Sequence, residues 1–406
     1  MRKKTVKKAL AWLLCLLGLA AGRTSAAGEG ITLRTVSCFG GTDPAADAYV
    51  QILKQYEAET NNRVQDYSTP SDEAWKASVL NDFAAGNEPD ILFFFAAGAD
   101  SAPILSRVVP VSEINEAYPE MKLPETEALR EADGLVYAVP CRGFWEGLYL
   151  RTDLFEAAGA PIPEDWDSLR EAVRKLRAAG IVPLAASLSD IPHYVAEMAI
   201  LACATAEEQQ RRPRSLEEVP ESWVRAMEVI RELQEMGAFP ETTEAMDDRA
   251  ATELFIQGGA AMRLDGSWLA DAIPEELMDR LAVKAMPRRD GQGSAEAYIG
   301  GTSMGFYLTR KAWKQEERRA AAVALLRALT LPESLAMLEN RQMSGQLEAS
   351  ALALGQGRKM LPPLQDAMNR EARETWLLEC IPAVAEGKMT AEECWRRVMA
   401  LHPFDQ

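Results

Sequence analysis

The chain has 406 residues and carries 44 basic against 61 acidic side chains, a formal charge of −17. A surface this acidic repels phosphate backbones and anionic headgroups, so neither nucleic acid nor a membrane surface is an expected partner. Only two histidines occur, His193 and His402, far apart in the chain, and they suggest no local metal site; no cofactor is expected.

The first 26 residues have the features of a secretory signal. Arg2, Lys3, Lys4, Lys7 and Lys8 precede a 13-residue apolar run, residues 9–21, and the small-residue stretch "TSAAG" follows. A bilayer span takes roughly 17 to 25 residues, so the run reads as a cleavable leader ending near Ala26 or Ala27, with a retained N-terminal anchor as the alternative. Cys15 lies inside the run behind "WLL", not behind a small-residue lipidation box. Loss of residues 1–26 leaves 38 basic and 61 acidic residues, a formal charge of −23. No later segment has 18 consecutive apolar residues, so a soluble exported protein is expected. Its length exceeds what one hydrophobic core usually serves, which makes two lobes the default. Five cysteines then remain (Cys38, Cys141, Cys203, Cys380, Cys394), an odd number with no CxxC spacing. Cys380 with Cys394, across a helix hairpin, is the one pairing worth testing; buried free thiols are the other state.

In chain order, "ITLRTVSCF" (31–39) alternates as a strand does, and "GGTD" leads to a helix whose apolar positions include Tyr49, Val50, Leu53 and Tyr56. Asp43 as N-cap and Pro44 as first helical residue would start it. The rhythm repeats with "RVQDYS" as strand, "STPSDEAWKASVLNDFAAG" as loop and helix, and "PDILFFFAAG" as a strand buried on both faces. Two extended runs meet around Pro140 in "GLVYAVPCRGFWEGLYLRTDLF" (134–155). An N-capped helix follows in "IPEDWDSLREAVRKLRAAG", then a strand at 181–187 and helices from 192 to about 258. "AAMRL", "AVKAMP" and "SMGFYLT" are further strands, and helices at about 315–329, from Pro332, and in a C-terminal pair complete the chain, the last with a Thr390/Glu393 capping box. Strands alternating with helices predict parallel sheets flanked by helices, an α/β class. Ligands collect beyond the carboxyl ends of such strands, and "CFGGTD", "FFFAAGAD" and "RLDGSW" all fall there.

Three segments, "GLYLRTDLFEAAGAPIPEDWDSLREAVRKLRAAGIVPL" (147–184), "ELFIQGGAAMRLDGSW" (253–268) and "IGGTSMGFYLTRKAWKQEERRAAAVALLRALTLPESLAML" (299–338), together resemble the extracellular solute-binding proteins of carbohydrate ABC importers, the family 1 group that includes maltose-binding protein. Arg151 stands where that family often has Asn. The resemblance implies a two-lobed periplasmic-binding-protein-like fold of type II, each lobe a sheet flanked by helices, with the ligand cleft between lobes. It places crossings near 139–143, 300–304 and 342–348, lobe one at 31–140 with 302–344, and lobe two at 141–301 with 345–406. It also implies a sugar or oligosaccharide ligand, hinge closure, and delivery to a membrane permease, from a monomer in the periplasm or on the outer face of the cytoplasmic membrane.

Sugars present apolar C–H faces and rims of hydroxyls, so a site needs flat aromatic rings beside hydrogen-bonding groups. Trp268 matches the aromatic that closes the family motif and would stack on a ring, or else pack a helix against the core. Asp265 could accept sugar hydroxyls or cap a helix starting near Ser267. Trp145 and Glu146, just past the first crossing, suit a ligand wall or hinge packing. His193 and Tyr194 in "SDIPHY" occupy a loop whose counterpart lines the cleft. Phe39, Asp43, Trp75 and Phe95 are candidates from three first-lobe junction loops, with helix capping sufficient for Asp43. Gly301 and Thr302 enter the second crossing as ligand contacts, hinge, or both. The letters GTSMG (301–305) fit GxSxG but run into the strand "SMGFYLT" rather than forming a strand-to-helix elbow, no HExxH or GxxxxGK[ST] pattern is present, and abundant acids alone do not make a glycosidase, so a binding protein rather than an enzyme is expected. A receptor for another solute, such as a polyamine or peptide, is the rival reading.

Overall fold

A computed structural model describes residues 30–41, 43–71, 73–96, 101–338 and 343–404. The expected leader with Cys15, the tip of the third first-lobe junction loop (97–100) and the start of the third crossing (342) lie outside these residues. The strands are β1 (Thr32–Val36), β2 (Arg63–Asp66), β3 (Ile91–Phe95), β4 (Val139–Arg151), β5 (Val182–Ala185), β6 (Ala260–Gly266), β7 (Leu281–Lys284), β8 (Ala297–Leu308) and β9 (Lys359–Leu361). The principal helices are α1 (Ala46–Thr60), α2 (Glu73–Ala84), α3 (Trp166–Ala178), α4 (His193–Cys203), α5 (Glu221–Glu235), α6 (Asp248–Ile256), α7 (Glu316–Thr330), α8 (Pro332–Leu338), α9 (Gly345–Leu354) and α10 (Ala391–Met399). Among the described residues no single helix is long and apolar enough to cross a membrane.

Local sequence accounts for most of these elements. The amphipathic α3 is held at its start by Asp165, whose carboxylate accepts the Ser168 N–H at 2.9 Å, and it buries Trp166, Leu169, Val173 and Leu176. The Thr390/Glu393 capping box forms on α10 as its spacing predicts. β3 is buried over Ile91–Phe94, as its continuous apolar run requires. α1 begins at Ala46 rather than Pro44, and Asp43 is not its cap. The carboxylate of Asp43 accepts the Ala45 N–H at 2.9 Å and otherwise faces an arginine from another strand.

The sheet order is β2-β1-β3-β8-β4-β6-β5, with β7 beside β4 and β9 beside β8. β1 is parallel to β2 and β3, and β5 to β6, as the alternating rhythm predicts. The all-parallel expectation fails in the middle, where β8 is antiparallel to β3 and to β4, and β4 is antiparallel to β6 and β7. The reason is the path of the chain. One buried cluster gathers α1, α2, β1, β3, α7 and the Val139–Cys141 end of β4 with the Met304–Leu308 end of β8. Another gathers α3, α4, α5, α10 and the opposite ends of the same strands, Leu148 and Leu150 on β4 and Ala297 and Ile299 on β8. A smaller one, around Tyr149, Phe255, Leu277 and Leu347, covers the other face of the β4–β6–β7 sheet. A chain that leaves one body through β4 and returns through β8 must run in opposite directions on the two passes. These strands are also longer than their patterns suggested, at 13 and 12 residues, because each is buried in two places.

Close packing at the crossing is testable. A Cβ on Gly305 would stand 2.5 Å from the Val139 carbonyl oxygen and 3.1 Å from Ala138 Cβ, whereas one on Gly301 would meet only Phe144 Cε1 at 3.4 Å. Gly305→Ala should therefore lower stability by about 1–3 kcal/mol, read from the urea midpoint. Gly301→Ala should stay within about 0.5 kcal/mol of the parent.

Candidate functional site

Between its two buried ends β4 carries residues 142–146 beside β8. Arg142 pairs with Met304, Gly143 with Thr302, Phe144 with Gly301 and Trp145 with Gly300. The register slips on either side of Arg142, which re-aims its side chain relative to the regular alternation. Beyond that point the alternation is clean. Phe144 and Glu146 share the face of Leu148, while Trp145 lies on the opposite face, stacked on Tyr149 at 5.7 Å. Gly301 and Thr302 are half-buried on the facing strand. The glycine that close approach demands is Gly300, where a Cβ would stand 2.8 Å from the Phe144 carbonyl oxygen.

Trp268 follows β6 in a 3-10 turn (Ser267–Ala272) and is 37% exposed, one of few large apolar side chains left open. Its indole folds back over Gly266, where a Cβ would lie only 2.1 Å from the ring, so the residue at 266 must lack a side chain. The ring stands 5.8 Å from Phe144 and 6.2 Å from Tyr194, and its Nε1–H donates to the Tyr194 hydroxyl at 3.1 Å. Tyr194, in the first turn of α4, is buried, and His193 packs on it at 4.1 Å. Burial, followed by the Arg373 guanidinium, pushes His193 down to about 4, so the imidazole is neutral at physiological pH. Three aromatic rings from β4, α4 and the turn after β6 thus form one platform, with Trp268 its most exposed member.

Asp265 is not on that platform. It pairs in register with Gly147 and so projects from the face opposite the indole, and it is 3% exposed. It is not a helix cap either. Its carboxylate accepts Arg263 Nε–H at 2.7 Å and the Gly266 N–H at 2.7 Å, while Arg263 also donates to Asp248 at 2.5 Å. Its negative charge is committed to a guanidinium that is itself buried. Burial still holds the Asp265 carboxyl above the usual range, with Arg263 pulling the other way.

Glu146 is also buried, with Oε2 lacking a hydrogen-bond partner among the described residues. Burial, then the nearby carboxyls of Glu197, Asp366 and Asp265, hold it well above the ordinary carboxylate range. Glu197, on α4, accepts the Gln365 N–H at 2.9 Å and is pushed up by burial to about 7. Glu146 lies buried beneath the platform, its ionisation opposed by burial, rather than forming an exposed ligand wall.

The first-lobe candidates divide. Phe39 is a core ring, 2% exposed, stacked on Tyr49 at 4.8 Å and 4.5 Å from Phe93. Trp75 is likewise buried, 5.4 Å from Phe94. Phe39 continues the buried end of β1, and Trp75 begins the inward side of α2 with Val79 and Phe83, so both rings are drawn into the core. Phe95 is half-buried with Lys76 over its ring. Asp43 receives both terminal nitrogens of Arg142 at 2.7 Å, and that guanidinium lies 4.6 Å above the Phe39 ring. Arg142 and Phe144 were missed in the sequence. Phe144 was legible there, because it is in phase with Leu148 and Leu150; Arg142 was not, since its partners come from residues 38–43 and from the Leu338 carbonyl, which accepts its Nε–H. Arg151, the departure from the family's Asn, lies at the far end of β4, where it donates to Asp153 and to the carbonyls of Phe255 and Ile256, a structural role. Among the described residues no group of three or more His, Cys, Asp or Glu is placed to hold a metal ion.

The fold is that of the two-lobed solute-binding proteins of type II, with the ligand cleft between lobes. A family model for bacterial extracellular solute-binding proteins matches residues 42–336, and the chain belongs to that family. No curated protein matches it in sequence. Among solved structures, a chitin oligosaccharide binding protein superposes with a TM-score of 0.74 at 17% identity, covering 92% of this chain and 98% of that one. The bacterial solute receptor AcbH, described as having an exclusive preference for β-D-galactopyranose, gives 0.73 at 15% over 92% and 98%. RafE from Streptococcus pneumoniae, in its apo form, gives 0.68 at 16% over 92% and 100%. At such identities the likeness is one of fold.

Two outcomes follow from the buried charges. Removing Arg263 leaves two carboxylates without their counter-charge, so Arg263→Met should cost about 3–5 kcal/mol in urea unfolding, with much of it recovered when Asp265→Asn is added. Glu146 and Glu197 have raised folded values, so their contribution is complete below the ordinary carboxylate range and is lost as pH climbs through about 7 for Glu197. Thermal unfolding from pH 5 to 8 should show that decline, and Glu146→Gln should flatten it and unfold no lower than the parent at pH 8.

Proposed function

We propose that this chain is the extracytoplasmic receptor of an ABC importer that takes a sugar or oligosaccharide between two lobes and hands it to a membrane permease. The lobes are 31–140 with 302–344 and 141–301 with 345–406. The leader is removed on export, and the mature monomer works in the periplasm or on the outer face of the cytoplasmic membrane.

The observation that carries this reading is the exposed Trp268 indole, braced by Phe144 and Tyr194 beside the crossing strands. A flat, rigid ring with one open face is what the C–H side of a pyranose packs against. Across the crossing, Arg142 and Asp43 supply donors and acceptors for hydroxyls, with Phe95, Gly301 and Thr302 around them. Trp145, Glu146, Asp265, His193 and Tyr194 support the platform, and Phe39 and Trp75 support the opposite lobe from its core. A cationic solute such as a polyamine is disfavoured, because Asp265 is paired with Arg263 and Glu146 is buried away from solvent. The protein performs no chemistry on what it binds. Ligand that touches both lobes stabilises the closed form by its extra affinity for that form.

Screening saccharides of different length by thermal shift should find one that raises the unfolding temperature, as mass action requires of a tight ligand. Trp268→Ala should weaken that ligand about thirtyfold or more, the loss of roughly 2 kcal/mol at an anchoring aromatic, and lower the ligand-free unfolding temperature by only a few degrees. Stabilisation by polyamines and by no saccharide would overturn the proposal.

A further inference from the structure

We propose that Cys380 and Cys394 join in a disulfide as the exported chain folds, tying α10 to the turn that precedes it. The inference rests on the export reading above, and its test separates the two.

Two contacts set the register of the C-terminal hairpin. Trp376 lies 5.5 Å from Trp395 and Glu379 pairs with Arg397, and the free, fully buried Cys380 and Cys394 stand on these facing segments, four residues past Trp376 and one before Trp395, close enough for each thiol to shift the other's ionisation. Cys380 ends a π-helical turn, Thr375–Cys380, that turns Trp376, Leu377 and Cys380 inward together. Cys394 is fixed from the other side, because the Thr390/Glu393 capping box sets where α10 begins and Trp395 Nε1–H donates to the Trp223 carbonyl at 3.0 Å. Neither thiol can drift away from its partner without breaking one of these anchors.

The other mature cysteines are elsewhere: Cys38 and Cys141 belong to the first-lobe cluster, and Cys203 ends α4. Both thiols of the pair are fully buried, so an oxidant reaches them only before the hairpin packs, and the bond once made is shielded from reductants. The oxidant is a disulfide, either oxidised glutathione or an exported dithiol oxidoreductase. The Cys380 thiolate attacks one of its sulfurs and expels the first thiol; Cys394, losing its proton, then attacks Cys380 Sγ and expels the second. Two protons and two electrons leave the pair in all, and the oxidant departs as two thiols.

The full chain should be refolded in a mixture of reduced and oxidised glutathione, unfolded in guanidinium with iodoacetamide, and digested with trypsin. Cleavage after Arg373, Lys388 and Arg396 then releases residues 374–388 and 389–396 as one cross-linked species lighter by two hydrogens than the separate peptides. Full alkylation of both cysteines after such refolding would overturn the inference, whatever compartment the protein occupies. The same analysis of the chain expressed with its own leader in an exporting bacterium should give the linked species too; a refolded chain that closes and an expressed chain that stays open would keep the pairing and sink the export reading. In the closed protein a reductant added in denaturant before refolding should lower the unfolding temperature by about 5 °C, the effect of opening a ring of this length. Cys394→Ala should abolish that difference.

Discussion

The antiparallel contact between β4 and β8 is the constraint on which the rest of the molecule depends. Each strand is buried at one end among α1, β1, β3 and α7 and at the other among α3, α4 and α5, so the pair belongs to two hydrophobic cores at once. A ribbon anchored in this way resists sliding, because a shift of one residue would expose every apolar side chain it buries at both ends. Its middle, residues 142–145 and 301–303, is less buried than either end, and the register slips beside Arg142. The hinge of the proposed receptor would fall there, between the two cores.

The same ribbon positions the proposed recognition surface. Phase along β4 sends Phe144 and Glu146 toward α4 and Trp145 the other way, so neighbours in sequence serve different sides of one sheet. The turn after β6 then lays Trp268 across a glycine that has no side chain to obstruct it. What results is an aromatic platform in which the Trp268 N–H is already satisfied by Tyr194, while across the crossing Asp43 is held by Arg142. Groups held in this way need little reordering when a ligand arrives, and less of the contact energy is lost to conformational entropy.

A strongly acidic chain has to dispose of its carboxyls, and around this platform it does so in two ways. Asp265 and Asp248 share the buried Arg263 guanidinium, an arrangement that is stable only while all partners stay. Glu146 has no basic group among its neighbours and Glu197 only the weaker influence of Arg212, so burial raises both carboxyls above their ordinary range. Surface acidity therefore says little about charge at the cleft. The net charge favours solubility, while the proposed ligand surface is apolar and hydrogen-bonding.

Much of this was legible in the sequence because it depends on local periodicity and chain-local chemistry. The strand and helix order, the Asp165 and Thr390 caps, the doubly buried β3 and the aromatic at 268 all follow from spacing, capping groups or the resemblance. What could not be read were properties set by residues far apart in the chain. Phe39 and Trp75 looked like rim aromatics, but the first continues the buried end of β1 and the second begins the core-facing side of α2, so both rings turn inward. Asp43 looked like a cap until Arg142, a hundred residues away, claimed its carboxylate. Asp265 and Trp268 looked like two halves of one binding motif, yet the pleat of β6 sends them to opposite faces and gives the acid to Arg263. Local sequence determines where the chain turns and what each segment prefers. Burial and ion pairing depend on which segments meet, and only the folded chain decides that.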